Sequence, residues 1–227
     1  MNVICVYVFP TVAGPHFENA VRFITSYNMN PAGAEHRLVI VSNGGPPTLD
    51  MRSLISTLPR EPEVFIHDNS GYDIGAFQAA ARSYPCDMMV FFGTTAYLRG
   101  PGWLKRMVEA FERRGQAGLY GSTANQGNEA AHVFPHIRTT GFWLSPAIMN
   151  MYPLRVTDPS HRYPAEHGQN SITQWCRAQG YRAWMVTWDA EYEWPNWDSI
   201  PGGFHRDKQE GLIVGDRLTC APYYPYP

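Results

Sequence analysis

The chain is poor in the features that would make it easy to classify. Its four cysteines, Cys5, Cys86, Cys176 and Cys220, are far apart and form no C-x-x-C pair, which argues against a zinc–thiolate site. Cys5 falls in an apolar strand pattern and Cys176 on a helical one. Both are expected to be buried free thiols, as suits a reducing cytosol. Basic residues are thinly spread: 18 Lys and Arg stand against 20 Asp and Glu, for a formal charge of −2, and there is no basic run. That argues against a protein whose affinity comes mainly from nucleic-acid phosphates. It leaves room for a compact nucleotide, which needs only a few placed groups. No apolar stretch is long enough to cross a bilayer. The opening MNVICVYVFP lacks the basic flank and long apolar core of a signal peptide and is expected to be a strand. No internal repeat and no linker divide the 227 residues, so a single domain over 1–227 is expected.

A hydrophobic content of 44% is enough for a real core. The aromatic content is high, 14%, with seven Trp and thirteen Tyr. Such residues line sugar-binding clefts as well as large cores. Val3 to Phe9 is a continuous apolar run, the pattern of a parallel strand covered on both faces. Phe17, Ala20, Val21 and Ile24 then recur at helical spacing. A strand over Arg37 to Val41, a helix or irregular piece over Leu49 to Leu58 and a strand from Val64 follow. Met88 to Phe92 is the fourth strand and Pro101 to Arg114 an amphipathic helix. Strand alternating with helix predicts a parallel, doubly wound α/β sheet. Beyond it, Gly118 to Ser122 reads as a short strand, Ala124 to Ala131 as a loop and Tyr181 to Trp188 as a late strand. Asn170 or Ser171 is placed to cap a helix carrying Ile172, Trp175 and Cys176.

The most informative stretch is VFIHDNSGYDIGAFQ, Val64 to Gln78. A β-branched run meets a turn of carboxylates, amides and glycine, and helical spacing resumes at Ile74, Phe77 and Ala81. In open α/β sheets such turns lie at the carboxyl ends of strands, where ligands bind. Asp and Asn side chains there can reach ribose hydroxyls or a metal-bound phosphate, and glycine lets the backbone approach a ligand. The same residues are ordinary turn formers, so an Asx-rich turn that merely stops the strand fits as well. A second stretch, HIRTTGFWLS, sets His136, Arg138, Thr139 and Thr140 between apolar flanks. Burying those polar groups is costly unless they are satisfied. A pocket wall and a half-exposed strand are the two readings.

Taken in order, VIVSNGG, DNSGYDIGAF, CDMMVFFGTTAYLRGPGWLKRM, HIRTTGFWLS and EHGQNSITQW resemble the nucleotide-sugar glycosyltransferases of the GT-A fold. The likeness is to family 2 and in particular to the rhamnan-synthesis F type of domain, and it covers most of residues 1 to 190. It implies a Rossmann-like three-layer sandwich around a mostly parallel sheet. Residues 1–115 would hold the nucleotide and 116–190 present the acceptor, with 191–227 an irregular tail or lid. By resemblance, Pro10 and Thr11 lie beside the base. Asn43, Asp68 and Asn69 lie near base or ribose, and Gly71 and Asp73 near ribose and diphosphate. Thr94, Thr95, His136, Arg138, Thr139 and Thr140 are expected around the donor sugar or acceptor. Glu166 is expected as the base that takes the acceptor hydroxyl's proton. Trp143, Trp194 and Trp197 are candidates for sugar stacking, though such residues also fill cores.

One departure is serious. Where these enzymes carry an acidic Asp-x-Asp motif for a divalent metal, this chain reads Gly93-Thr94-Thr95. Two threonines cannot replace two carboxylates around a hard cation. Either another carboxylate such as Asp73, with His205, holds Mn2+ or Mg2+, or catalysis is metal-independent, or activity is lost. Without metal, Arg99, Arg138 or His205 would have to stabilise the leaving diphosphate. The expected function is sugar transfer, with inversion, from a nucleoside diphosphate donor such as a UDP-sugar to a hydroxyl on a glycan, in the cytoplasm. A nucleic acid enters only as a modified-base acceptor. The rivals are a nucleotide-binding module of the same fold that has lost its chemistry, and a nucleotidyltransferase.

Overall fold

The computed structural model describes residues 1–11, 15–128, 132–199 and 211–217. The first half follows the alternation expected from the sequence. Strand β1 (Val3–Pro10) leads to helix α1 (His16–Met29), β2 (Arg37–Asn43) to α2 (Leu49–Ile55), and β3 (Glu63–His67) to α3 (Tyr72–Ser83). Strand β4 (Met88–Phe92) is followed by the two-residue β5 (Tyr97–Leu98) and by α4 (Trp103–Arg114). All eight residues of β1 are buried, because its alternate side chains serve two cores. Cys5, Tyr7 and Phe9 pack with α1 and α4 on one face, and Ile4, Val6 and Val8 pack with α3 on the other. That is the three-layer arrangement. Local chemistry starts the helices: the Thr48 side chain accepts from Met51 N ahead of α2, and that of Ser171 accepts from Gln174 N ahead of α7 (Ile172–Ala178).

The second half adds β6 (Gly118–Gly121), β7 (Ala124–Asn125), β8 (His136–Ile137), β9 (Gly141–Leu144), α5 (Pro146–Met151), α6 (Arg162–Glu166), α7, β10 (Arg182–Val186), β11 (Glu191–Glu193) and β12 (Val214–Gly215). The eight-stranded sheet runs β11-β10-β6-β9-β4-β1-β2-β3. Its neighbours are parallel from β4 through β1 and β2 to β3, and again between β6 and β10. Strand β9 is antiparallel to both β4 and β6 and joins the two halves.

Three expectations need correction. HIRTTGFWLS is two strands in different sheets, divided by a turn that delivers Arg138, Thr139 and Thr140 to the end of β4. The segment from Ala124 is only partly loop, since β7 pairs with β8. The tail is not irregular throughout, because β11 edges the main sheet and β12 pairs with β5. Strand β3, apolar by sequence, is the opposite edge, where Val64 and Ile66 are exposed.

Candidate functional site

A cavity of about 550 Å3 opens at the carboxyl ends of β1, β3 and β4, where the two halves meet. That volume is typical of a small-molecule site, and the position is where open α/β sheets bind ligands. Pro10, Asn69, Asp73, Thr94 and Thr95 line it from the first half, and Arg138, Thr139, Thr140, Glu166 and His167 from the second.

The turn after β3 is built for Asp73. Asn69, Gly71 and Tyr72 all take positive φ, free for the glycine but a backbone strain at Asn69 and Tyr72 that the neighbouring packing must hold in place. Asn43 Nδ2 donates to Asn69 Oδ1 at 2.7 Å and fixes that side chain. A Cβ on Gly71 would lie 2.1 Å from Val156 O, and one on Gly75 would lie 2.0 Å from Ser70 O. These glycines therefore serve close backbone packing; a ligand is not what approaches them. Asp68 points to solvent and accepts from Ser70 N at 2.9 Å, as an Asx turn. Thr11 spends its N–H and hydroxyl on Asn43 O. Of the expected nucleotide residues, Pro10, Asn69 and Asp73 reach the cavity, while Thr11, Asn43, Asp68 and Gly71 do not line it.

Asp73 is the second residue of helix α3 and is gripped from the turn just after β4. Thr94 N donates to Oδ2 and Thr94 Oγ1 to Oδ1, both at 2.9 Å. Burial pushes the Asp73 carboxyl above its ordinary range, and the two Thr94 bonds only partly oppose it. Glu166, the last residue of α6, has the opposite balance. Burial pushes it up, but hydrogen bonds from His167 and Thr139 and the charges of His167 and Arg162 outweigh burial and hold it well below the usual carboxylate range. Thr139 donates through N and Oγ1 to Oε1 at 3.3 and 2.7 Å, and His167 Nε2 lies 3.2 Å from Oε2.

Behind Glu166, His136 is fully buried, with Nδ1 2.7 Å from Phe134 O and Nε2 3.0 Å from His167 Nδ1. Burial lowers its pKa to about 4, so it is neutral at pH 7. Asp216, just after β12, lies 3.1 Å from Arg138 Nη1 and accepts from Thr140 Oγ1 at 3.3 Å. His167, Arg162, Asp216 and Arg217 also face the cavity, and sequence reasoning named none of them for the site. The EHGQNS motif carried the one available signal, since His167 directly follows Glu166. Arg99 does not line the cavity, and His205 lies outside the described residues. Trp143 and Trp197 are fully buried in the core, which rules out sugar stacking for both, and Trp194 packs edge-on against Trp197.

No protein-family model and no curated protein matches the chain. Solved structures do. A mannosyltransferase from Pyrobaculum calidifontis, in complex with GDP-Man and Mn2+, superposes with a TM-score of 0.52 at 16% identity over 79% of this chain. This chain spans 53% of that protein's length. Mouse xyloside xylosyltransferase 1 in its apo form gives 0.47 at 12% identity, over 77% of this chain and 79% of that one. HddC from Yersinia pseudotuberculosis gives 0.46 at 15%, over 70% and 83%. The fold is one that glycosyltransferases use. The resemblance in the sequence put a hard cation at Gly93-Thr94-Thr95, just after β4. Here the described residues do not fit one: Asp73, bonded to Thr94, is the single carboxylate at that position, and Mg2+ or Mn2+ takes several oxygen ligands.

Proposed function

We propose that the protein transfers a sugar from a nucleoside diphosphate donor to an acceptor hydroxyl on a glycan, by direct displacement with inversion, in the cytoplasm. The observation that carries this is the cavity itself. It sits at the strand ends of a glycosyltransferase-like fold and brings the Asn69–Asp73 turn face to face with Arg138, Thr139, Thr140 and Glu166. Among the described residues no helix is long and apolar enough to cross a membrane.

Glu166, expected as the base, and Asp73, expected at the nucleotide or a metal, are driven apart in pKa, and such pairs divide the acid–base roles. A general base works best when its pKa approaches the operating pH. Asp73, raised by burial, is the better proton acceptor. Glu166, the base by resemblance, is held as an anion by Thr139, His167 and Arg162 and is the alternative proton acceptor. Asn69, Thr95 and Pro10 hold the nucleotide side, and Arg138 and Arg162 offer positive charge to the leaving diphosphate.

The test is calorimetric titration with UDP, GDP, TDP and CDP, followed by release of the matching diphosphate from its sugar donor in the presence of glycan acceptors. Binding of one nucleotide with turnover supports the reading. Binding without turnover favours a module that kept the pocket and lost the chemistry, a reading that Thr94 at the acidic position supports. Release of pyrophosphate from a nucleoside triphosphate would identify a nucleotidyltransferase, and no binding of any of the four sinks the proposal.

A further inference from the structure

We propose that His136, His167 and Glu166 form a binding site for a borderline transition metal of the zinc or cobalt class, with its open coordination position facing the cavity. One ligand atom from each residue lies within 4.8 Å of the other two. His136 Nε2 and His167 Nδ1 are 3.0 Å apart, a little inside the roughly 3.3 Å between two nitrogens on one tetrahedral ion with bonds of about 2.0–2.1 Å; Glu166 Oε2 meets the other nitrogen of His167, so a shift of that ring brings the three ligands onto one ion. The proposal goes beyond sugar transfer and does not depend on it.

Three features of this wall suit a metal. First, its ligands are braced from behind. His136 Nδ1 bonds to Phe134 O, which leaves the Nε2 lone pair aimed at His167. Glu166 Oε1 takes both Thr139 donors, which leaves Oε2 toward His167. Metal-binding histidines and carboxylates are oriented in this way by outer partners. The two strips are also tied through the backbone, Phe134 N donating to His167 O at 2.8 Å.

Second, the contacts do not close with a neutral His167. Its Nδ1 meets the lone pair of His136 Nε2 and its Nε2 meets a carboxylate oxygen. Neutral imidazole carries one N–H, so one contact sets acceptor against acceptor. A cation resolves this, either as a second proton on His167 or as a metal ion that accepts a lone pair.

Third, the cavity is short of positive charge. Arg138, Arg162 and Arg217 stand against Glu18, Asp73, Glu166 and Asp216, three basic side chains to four acidic ones. An anionic ligand adds to that excess. Two imidazoles and one carboxylate select Zn2+ or Co2+ over Mg2+ or Ca2+, which prefer all-oxygen sets. Three protein ligands with one open position is the arrangement of reactive, as opposed to structural, zinc.

The experiment is titration of the full chain, stripped with a chelator, with Zn2+ by calorimetry and with Co2+ by visible absorption. The proposal expects one equivalent of each, with the strong visible bands of low-coordinate cobalt. Thr139→Val should weaken binding about 10–100-fold, the usual cost of losing an outer partner, and His167→Gln by more. Asp73→Asn should leave the cobalt spectrum in place. His136→Asn is the harsher variant, because the residue is buried. His167→Gln, at the cavity edge, is the deciding one, with circular dichroism confirming that it folds. No binding of either ion overturns the proposal. So does binding that a folded His167→Gln retains, and so does a cobalt spectrum abolished by Asp73→Asn. Nucleotide titration in the absence of metal reads the proposed function separately.

Discussion

Thr94 gives both of its donors to Asp73, its N–H to one carboxylate oxygen and its hydroxyl to the other, each at 2.9 Å. The residue that stands where an acidic metal ligand was expected thus anchors the neighbouring carboxylate. Thr94→Val keeps the shape and removes the hydroxyl donor from a buried anion. A hydrogen bond to a charged group contributes about 1.5–3 kcal/mol, so urea unfolding should show a loss of that order. Thr94→Ser should restore most of it. Equal stability of the three proteins would mean that the bond contributes nothing.

The raised Asp73 carboxyl predicts the acid limb of activity. Asp73 must be ionised to accept a proton, and burial moves its titration above the ordinary aspartate range. Turnover should therefore climb with pH through a value higher than about 3.9. Asp73→Asn should lose at least about 100-fold in kcat, the lower range of general-base contributions. Glu166→Gln should keep the pH limb in place. A limb that moved with Glu166→Gln and survived Asp73→Asn would return the base to Glu166.

Far from the cavity, Glu191 is almost fully buried beneath Arg106, Arg113 and Arg114, at 2.7, 3.0 and 2.6 Å. Arg106 also donates to the carbonyls of Thr187, Trp188 and Ala190, so this cluster locks the edge of the sheet to α4. Burial pushes Glu191 up, but the arginines prevail and its pKa is lowered. A carboxyl depressed in the folded state adds stability above its unfolded pKa, about 4.3, and loses it as pH falls through the folded value. Glu191→Gln should cost roughly 1.5–3 kcal/mol at pH 7, read from denaturant midpoints. The gap between the two proteins should close as the pH is taken well below 4.

The alternation of strand and helix was legible because β1 to β4 are short apolar runs divided by Gly, Pro and Asn, and only a doubly covered strand buries every residue as β1 does. Strand direction was not legible. Nothing local tells Gly141–Leu144 that it runs antiparallel between β4 and β6, because its composition is that of any buried strand. The site was half legible. Asp73 stood out in a turn of carboxylates and amides and the Arg138–Thr140 turn as polar groups between apolar flanks, whereas Glu166 was reached through the resemblance. Asp216 did not, because its partner Thr140 is 76 residues away. His136 and His167, separated by 31 residues, meet only after β8 and α6 have packed. The glycines of the turn misled for a related reason: close approach was required there, but by the Val156 backbone.

That turn gives a sharp test of packing. Gly71 has φ of 73°, and a Cβ there would lie 2.1 Å from Val156 O and 2.6 Å from its carbonyl carbon. Left-handed backbone alone costs a non-glycine residue roughly 1–2 kcal/mol. The contact is with main chain, which cannot rotate aside as the end of a side chain can. Gly71→Ala should therefore lose more than that backbone cost in urea unfolding. It should also weaken nucleotide binding, because Asn69 and Asp73 flank the displaced residue and both face the cavity. Gly102, also left-handed at 76° but with open space around its Cβ position, is the control, and Gly102→Ala should lose only the backbone cost. If both variants lose the same amount, the turn yields to the methyl group and the Val156 contact is not what holds Asp73 in place.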